Sequence, residues 1–476
     1  MSDRTTPSLA VLLAAALVSA CTSPVGPQES GIGPASAWTH LTGGQAQAND
    51  PGAPLVSNAA AEVEQHWWRH FGDPVLEGLI AEALEGNKTL QIAKARVEEA
   101  RAARGVARAR LWPDLSATAG GQRVNQGVAV NDKTIGIAGA DLEATWELDL
   151  FGRNQARIAE STALLDSEEA TRQGVRVGLL AAVARSYFDL RESQRQLGLT
   201  RQNLATQTRT FDLIRDQRQG ALASDFDVQR AGAQVSATEA LIPALESRRD
   251  AALNRLNVLL GHPPGRRDAL LAAPPEVKPL DPTIVVAAPA KVLAARPDVR
   301  AAERRFAASL SAKDAATAEL FPEISLTALF GAQIATPMEA TPWGVGLSLV
   351  QPILNFGRIQ SQIDAADARQ TQAFLAYQQT VLDALENMEN ALSGYGHEAS
   401  RNAALTNGVA QNRRAADLAR QQYANGYTGL LDVLVAERSL LEAEAAQAAS
   451  DASLRRDLVD IYAAAGGGWS DEDAAR

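Results

Sequence analysis

The residues best equipped for chemistry are few, and each sits in company that speaks against a reaction. His66 and His70 in EVEQHWWRHFGDP are spaced i, i+4, which on a helix presents two imidazoles to one metal ion. No third ligand lies nearby, whereas even an open zinc site uses three protein ligands. Asp298 and Glu303 in RPDVRAAE offer paired carboxylates of the kind hydrolases use as acid and base. Arg296, Arg300, Arg304 and Arg305 stand beside them, so a surface ion-pair cluster at a helix start is expected instead. With one cysteine, Cys21, the chain cannot form an intrachain disulfide or a cysteine-rich metal centre, and three methionines argue against a methionine-lined copper path. There is no P-loop, no G-x-S-x-G and no H-E-x-x-H. The chain is expected to be no enzyme, to hold no metal or cofactor, and to conduct passively if it transports at all.

What remains are aspartates that follow glycines, Asp225 and Asp227 after Gly220 and Asp432 after Gly426, and their meaning depends on the elements around them. The 476 residues carry a formal charge of -11, and no Lys/Arg cluster is present to neutralise phosphates, so nucleic acid is not expected as a partner. Aromatics make up only 5% while alanine is abundant, a balance suited to long helices packed on one another.

The N-terminus has Arg4, an apolar run from Leu9 to Val18, and the small residues Ser19 and Ala20 directly before Cys21. The run is too short for a permanent membrane span and predicts a removable export signal over residues 1–20. Val18-Ser19-Ala20-Cys21 resembles the lipobox of bacterial lipoproteins, which implies that Cys21 becomes the acylated mature N-terminus, carrying a lipid such as palmitate. The Gly-, Pro-, Ser- and Gln-rich residues that follow predict a flexible tether over 21–60.

Beyond the tether the chain is written twice. Asn87–Ser116 aligns without gaps on Arg296–Ser325, so that LWPDLS at 111–116 meets LFPEIS at 320–325. LFGRN at 150–154 then matches NFGRI at 355–359, and GALASDFDVQRA at 220–231 matches GYTGLLDVLVA at 426–436. This is a large tandem duplication, with one repeat over 61–260, a second over 291–465, a proline-rich connector over 261–290 and a flexible tail over 466–476.

Each repeat predicts a helix ending at Trp112-Pro113 or Phe321-Pro322, because proline stops the helical pattern. Two alternating segments follow, at 115–125 and 134–148 in the first repeat and at 324–335 and 341–351 in the second. Each is near the ~9 to 11 residues of a tilted transmembrane strand. After Phe151-Gly152-Arg153 the pattern turns helical, and Asn154 to Gln219 as one helix would reach about 100 Å. Val183, Leu190, Leu197, Leu204 and Phe211 recur every seven residues, the seam of coiled-coil packing. The Gly220 and Gly426 segments are the predicted reversal points. Four strands cannot close a barrel, and lipid does not tolerate open edges, so an oligomer is expected; three chains would supply twelve strands.

WELDLFGR at 146–153, RPDVRAAE at 296–303, FPEISL at 321–326, QPILNFGR at 351–358 and the GYTGLLDV tip together resemble the outer membrane factor family, in its NodT- and OprM-like lipoprotein branch. The resemblance covers nearly the whole mature chain. It implies a mainly α protein with a transmembrane β-barrel: a homotrimeric channel-tunnel with a twelve-strand barrel in the outer membrane and a long-helix α-barrel in the periplasm. It also implies a periplasmic membrane-fusion adaptor, an inner-membrane pump of the resistance-nodulation-division (RND) type, and efflux of small molecules such as drugs. The connector is read as part of the belt around the α-barrel. Asp432 matches the family carboxylate that constricts the pore, and Tyr423 a residue that ties neighbouring helices in the closed state. The second carboxylate of TolC-like tips is replaced by Val435, and the basic partner found in some members is replaced near Thr428. For Asp225 and Asp227 three roles stay open: facing the pore, capping the following helix, or contacting the adaptor, with capping preferred. A type I secretion duct and a periplasmic scaffold without a pore are the alternative functions. A scaffold has no use for four lipid-length strands.

Overall fold

The structure, a computed structural model, describes residues 29–33, 35–39, 55–58, 62–125, 134–266, 271, 284–335 and 338–469. The export signal, Cys21 and most of the connector lie outside the described residues. In chain order the elements are strand β1 (Leu55–Asn58), a 3-10 turn (Trp67–Phe71), helices α1 (Pro74–Gly86) and α2 (Lys88–Ala109), and strands β2 (Asp114–Asn125) and β3 (Thr134–Leu148). Then come helices α3 (Arg153–Gln219), α4 (Asp225–Glu239) and α5 (Leu241–Leu259), strand β4 (Ile284–Ala287), and helices α6 (Pro289–Ala295) and α7 (Pro297–Ala318). The second repeat continues with strands β5 (Glu323–Ala335), β6 (Met338–Ala340) and β7 (Trp343–Val350) and ends in helices α8 (Arg358–Ala424) and α9 (Leu430–Ala464). Helices α3 and α8 are each 67 residues long, as the proline-free stretches predict, or about 100 Å. No described helix is long and apolar enough to cross a membrane.

The chain forms two compact units, one from 1–32, 95–170 and 300–380, the other from 33–94, 171–299 and 381–476. The first unit holds an antiparallel sheet with β2 beside β3, β3 beside β5, and both β7 and the short β6 beside β5. The strand β6 pairs only Met338–Ala340 with the end of β5, too short a run for period-2 alternation to reveal. Side chains alternate across a sheet and directly paired residues share a face. Leu115, Leu142, Phe330, Trp343, Val345, Leu347 and Leu349 therefore stand on one face, and all are exposed in the single chain. The other face carries Ser116, Glu143, Thr118, Asp141, Thr145, Thr327 and Ser348. An apolar face left open on one side and a polar face on the other is the pattern of a strand set between lipid and water.

The second unit is held by a buried cluster in which Trp67 stacks on Tyr462 at 5.5 Å and Phe71 packs on Phe188 at 4.8 Å. Helix α1 starts with Asp73 as its cap, whose Oδ1 accepts from Val75 N at 2.9 Å, while Pro74 follows at the position where a missing N–H costs nothing. Of the expected coiled-coil seam, Val183, Leu190 and Leu197 are buried, whereas Leu204 and Phe211 are half-buried. One asymmetry separates the repeats. In the first, the returning helix breaks at Ala240 into α4 and α5, because Pro243 lacks an N–H and crowds the carbonyl four residues back. In the second, α9 has no proline and runs unbroken for 35 residues.

Two boundary expectations need correction, those for the tether and the tail, and the connector contributes to the core. Within 21–60, Trp38 is buried and its Nε1 donates to Ala287 O at 2.9 Å, and β1 pairs in parallel with β4, so this segment does more than tether. Within the 261–290 connector, Leu271 is buried in the core and β4 supplies that pairing. The tail expected from 466 is packed as far as Trp469: Arg176 Nε donates to Gly468 O at 2.9 Å, and Trp469 Nε1 to Ala295 O at 3.1 Å. The three glycines there serve close approach and not looseness; a Cβ on Gly467 would sit 2.7 Å from Glu64 O.

Candidate functional site

The aspartates singled out in the sequence lie at two helix reversals in the second unit, and the reversals follow one backbone design. At the end of α3, Leu222 N donates to Gln217 O at 2.8 Å and Ala221 N to Arg218 O at 3.0 Å. At the end of α8, Tyr427 N donates to Gln422 O at 2.8 Å and Gly426 N to Tyr423 O at 3.0 Å. Both are paired terminal hydrogen bonds around one left-handed residue, the Schellman arrangement. The left-handed residue is Gly426 (φ 74°) in the second repeat and Ala221 (φ 62°) in the first. Gly220, expected to make the first reversal, is the residue before it: the structural counterpart of Gly426 is an alanine.

With that register, Ser224 corresponds to Gly429, Asp225 to Leu430 and Asp227 to Asp432. Ser224 caps α4, its Oγ accepting from Asp227 N at 3.1 Å while Asp227 Oδ2 accepts from Ser224 N at 3.2 Å and from Ser224 Oγ at 2.6 Å. The reciprocal pair forms a capping box, so Asp227 is committed to the helix start. Asp225 receives both Arg218 Nε (2.8 Å) and Arg218 Nη2 (3.0 Å), and this guanidinium holds its carboxyl below the usual aspartate range. Neither aspartate caps α4 as the N-cap residue itself; Ser224 does, and the S-x-x-D spacing was the legible signal.

The second tip lacks such a cap, because Gly429 has no side chain to offer the first turn of α9. Asp432 stays exposed, with the Thr428 hydroxyl donating to its Oδ2. Tyr427 beside it is 84% exposed. The two tips meet through Tyr423, whose hydroxyl donates to Gln217 Oε1 at 2.9 Å and whose ring packs by Ile214, Ala231, Leu430 and Leu434. Burial raises the Tyr423 hydroxyl pKa, and the charge of Asp227 raises it further. This tyrosine ties helix ends of a single chain.

Behind the second tip runs a ladder of polar pairs that period-3.6 reading of the apolar residues passed over. Arg420 Nε donates to Glu437 Oε1 at 2.9 Å, Arg413 Nη2 to Glu444 Oε1 at 2.6 Å, and Asn402 Nδ2 to Asp451 Oδ1 at 2.7 Å. The three acids recur every seven residues on α9, and Glu437 is only 1% exposed. Removing Arg420 would leave the buried Glu437 carboxylate without its charge partner, which is destabilising. The hairpin of α8 and α9 is thereby fixed in register.

The other candidates resolve as structure. His70 Nδ1 lies 2.7 Å from Tyr462 Oη, and no group of three or more metal-ligating side chains exists among the described residues. Arg296 is buried, not at the surface as expected, and holds both oxygens of Asp298 at 3.0 and 2.6 Å while donating to Ala464 O at 2.7 Å. Glu303 pairs with Arg304 at 3.1 Å. This set binds the start of α7 to the end of α9 and leaves no carboxylate pair open to a substrate.

Comparison with known proteins adds the decisive observation: residues 79–262 and 288–467 each match the family described as Outer membrane efflux protein. The chain belongs to this family. The two matched segments follow the two repeats. The pyoverdine export outer membrane protein OpmQ of Pseudomonas aeruginosa is 30% identical over 98% of both chains. Nodulation protein T of Rhizobium leguminosarum bv. trifolii is 30% identical over 80% of this chain and 83% of its own. Among solved structures, the outer-membrane channel OprN superposes with a TM-score of 0.83 at 32% identity, covering 94% of this chain and 100% of OprN. The protein is thus an outer membrane efflux channel with a helical periplasmic part, and not an enzyme.

Proposed function

We propose that three copies of the chain form the exit duct of a tripartite efflux system, passing small molecules, drugs and other toxic compounds among them, from an inner-membrane RND-type pump and a periplasmic adaptor to the exterior. The observation that carries this reading is the single-chain sheet: apolar on one face, polar on the other, with the outer edges of β2 and β7 unpaired among the described residues. Such a sheet is stable in lipid only when other strands close it into a ring. OpmQ is named for pyoverdine export, which supports efflux over a type I secretion duct. Cys21 is the acylated residue on this reading, adding a lipid anchor in the outer membrane to the barrel.

Asp432 then recurs three times around the channel axis and forms the constriction. Like charges facing one another in a narrow, poorly hydrated opening repel and draw cations. Its exposure, its lack of a cap partner and its position at a reversal all support the role. The test is current across a planar lipid bilayer, comparing the wild type with Asp432→Ala at several salt concentrations. Discrete steps with a cation preference that falls in the variant are expected. Steps unchanged by the substitution would remove Asp432 from the constriction, and silence from assembled wild-type oligomers would overturn the channel itself.

A further inference from the structure

We propose that the junction of α2 and β2, residues 108–112, binds an anionic phospholipid of the outer membrane's periplasmic leaflet, with Arg108 and Arg110 on the headgroup phosphate and Trp112 where headgroup meets acyl chain. The proposal rests on the reading above that the sheet stands in lipid, and not on the number of copies that close it.

The junction is held on the lipid side of the sheet. Alternation along β3 puts Trp146 on the apolar face with Leu142, and its Nε1 donates to Leu111 O at 3.0 Å. Leu111 N donates to Arg108 O at 3.2 Å and Trp112 N to Ala109 O at 3.0 Å, which tightens the last turn and keeps Trp112 near Arg108. Leu115, just beyond, is exposed on the same apolar face. The helices are on the periplasmic side, so residues 108–112 stand at the headgroup level of that leaflet. Trp112, 75% exposed, suits this level because its ring is apolar and its N–H polar.

Charge decides the kind of lipid. Residues 100–113 contain four arginines and no acid. Arg101 pairs with Glu98 at 2.6 Å and Glu169 at 3.6 Å, and Arg104 acts on the half-buried Asp166 together with Arg300 and Arg304. Arg108 and Arg110 are exposed, and their side chains have no hydrogen-bond or ion-pair partner among the described residues. Partners thus run out where the helix reaches the membrane. The opposite outer end of the sheet offers none either: residues 340–363 include Glu nowhere and no Asp, so that edge of a second copy beside β2 would bring no acid.

The second repeat shows that the fold does not need these charges. Its matching segment, 309–322, sets Lys313 against Asp314 and Glu319, with Thr317 and Glu319 in the places of Arg108 and Arg110. Glu319 lies 3.9 Å from Arg358 of its own chain. Phe321, in the place of Trp112, stacks on Phe151 with centroids 5.1 Å apart. A helix C-terminus favours a cation, yet α7 ends with no basic residue in its last turn, so the unpaired arginines of α2 serve something outside the chain. Guanidinium groups match phosphate oxygens in a bidentate fork, and basic residues beside a bilayer attract anionic headgroups. One site per chain follows, in the first repeat alone.

The test is native mass spectrometry of the full-length protein, released from detergent after addition of phosphatidylglycerol or phosphatidylethanolamine at equal concentration. One phosphatidylglycerol per chain is expected, with few phosphatidylethanolamine adducts. Arg108→Ala with Arg110→Ala should weaken phosphatidylglycerol binding about 25-fold, since each basic residue near an anionic surface contributes about fivefold. Arg108→Lys with Arg110→Lys keeps the charge and should retain most adducts; a loss as complete as in the alanine pair would overturn charge as the basis of binding. Trimers that take up both lipids equally, or that keep their adducts in the alanine pair, would overturn the site and leave the oligomer standing. A monomer carrying one phosphatidylglycerol would overturn the oligomer and leave the site. Trimers that fall apart in the alanine pair, with lipid uptake per chain unchanged, would place the arginines against another copy and overturn the lipid assignment. Displacement of the adducts by soluble glycerol phosphate would do the same, because a free phosphate would then suffice.

Discussion

The two helix reversals share a backbone and differ in what they do with it. At the first tip both aspartates after the turn are spent on local structure: Ser224 and Asp227 cap one another, and Arg218 holds Asp225. At the second, Leu430 occupies the place of Asp225 and Gly429 the place of Ser224, so Asp432 has only Thr428 as partner and faces solvent. A duplication starts with equal halves. Here one half has a capped turn, while the other lacks a side-chain cap and leaves the Asp432 carboxylate exposed. Disorder is not the difference, since both tips keep the same terminal hydrogen bonds.

The largest effect should come from cutting the link between them. Tyr423→Ala removes the hydrogen bond to Gln217 and the ring packed by Ile214 and Leu434, a loss of about 2 kcal/mol or more for a large residue at a partly buried site. Amide hydrogen exchange at residues 214–236 and 421–436 should rise at both tips together. A rise confined to the second would show that Tyr423 supports its own hairpin alone.

Next are the caps. Ser224→Ala is expected to weaken the start of α4 by about 1 kcal/mol, and Gly429→Ala the start of α9 by less, because it removes no side-chain cap, although glycine still ranks above alanine at this position. Gly429→Ser is the sharper version, because it offers Asp432 the partner Asp227 already has. It should slow exchange in the first turn of α9 and, by drawing the carboxylate into a capping box, lower the cation preference of the bilayer current. A serine that slows exchange but leaves selectivity intact would separate the tip's stability from its role in conduction.

The sequence revealed what local pattern controls. Pro113 and Pro322 placed the strand starts within a residue, alternation placed β2, β3 and β5, and the long proline-free stretches gave α3 and α8 their lengths. What escaped depends on partners far away in sequence or on one dihedral angle. The pairing of β1 with β4, with Leu55 beside Ile284, leaves no period in either short segment. The glycines at 466–468 read as a loose tail because the close approach that needs them involves Glu64 and Trp67. At the first tip Gly220 attracted attention as the only glycine, yet the backbone places its left-handed residue one position later.

That displaced residue makes the third comparison. A left-handed conformation costs a side-chain-bearing residue roughly 1 kcal/mol relative to glycine. Ala221→Gly should therefore stabilise the first reversal by about that amount, and Gly426→Ala should destabilise the second by a similar one. The paired signs are the test: fivefold slower exchange at residue 222 in one variant and fivefold faster exchange at residue 427 in the other. Two losses would mean that Ala221 makes contacts worth more than its strain.

The smallest expected effect concerns Asp225, and it shows where a polar contact at the tip lacks consequence. Its two hydrogen bonds from Arg218 are well formed, but both side chains are exposed, and exposed pairs gain little because water and salt screen them. The depressed carboxyl pKa fixes the sign of the linkage. The ionised form is favoured in the folded tip, so the pair contributes above the unfolded aspartate's pKa and is lost as pH falls through the lower folded value. A carbon NMR titration should find Asp225 below the ordinary aspartate range in wild type and back within it in Arg218→Gln. Exchange at the tip should barely change at neutral pH. If Arg218→Gln instead opened the first tip as much as Ser224→Ala does, the capping box would not be what secures it, and the contrast with the uncapped second tip would have to rest on Arg218, a residue whose place at Tyr423 in the other repeat is already filled by the link between the two.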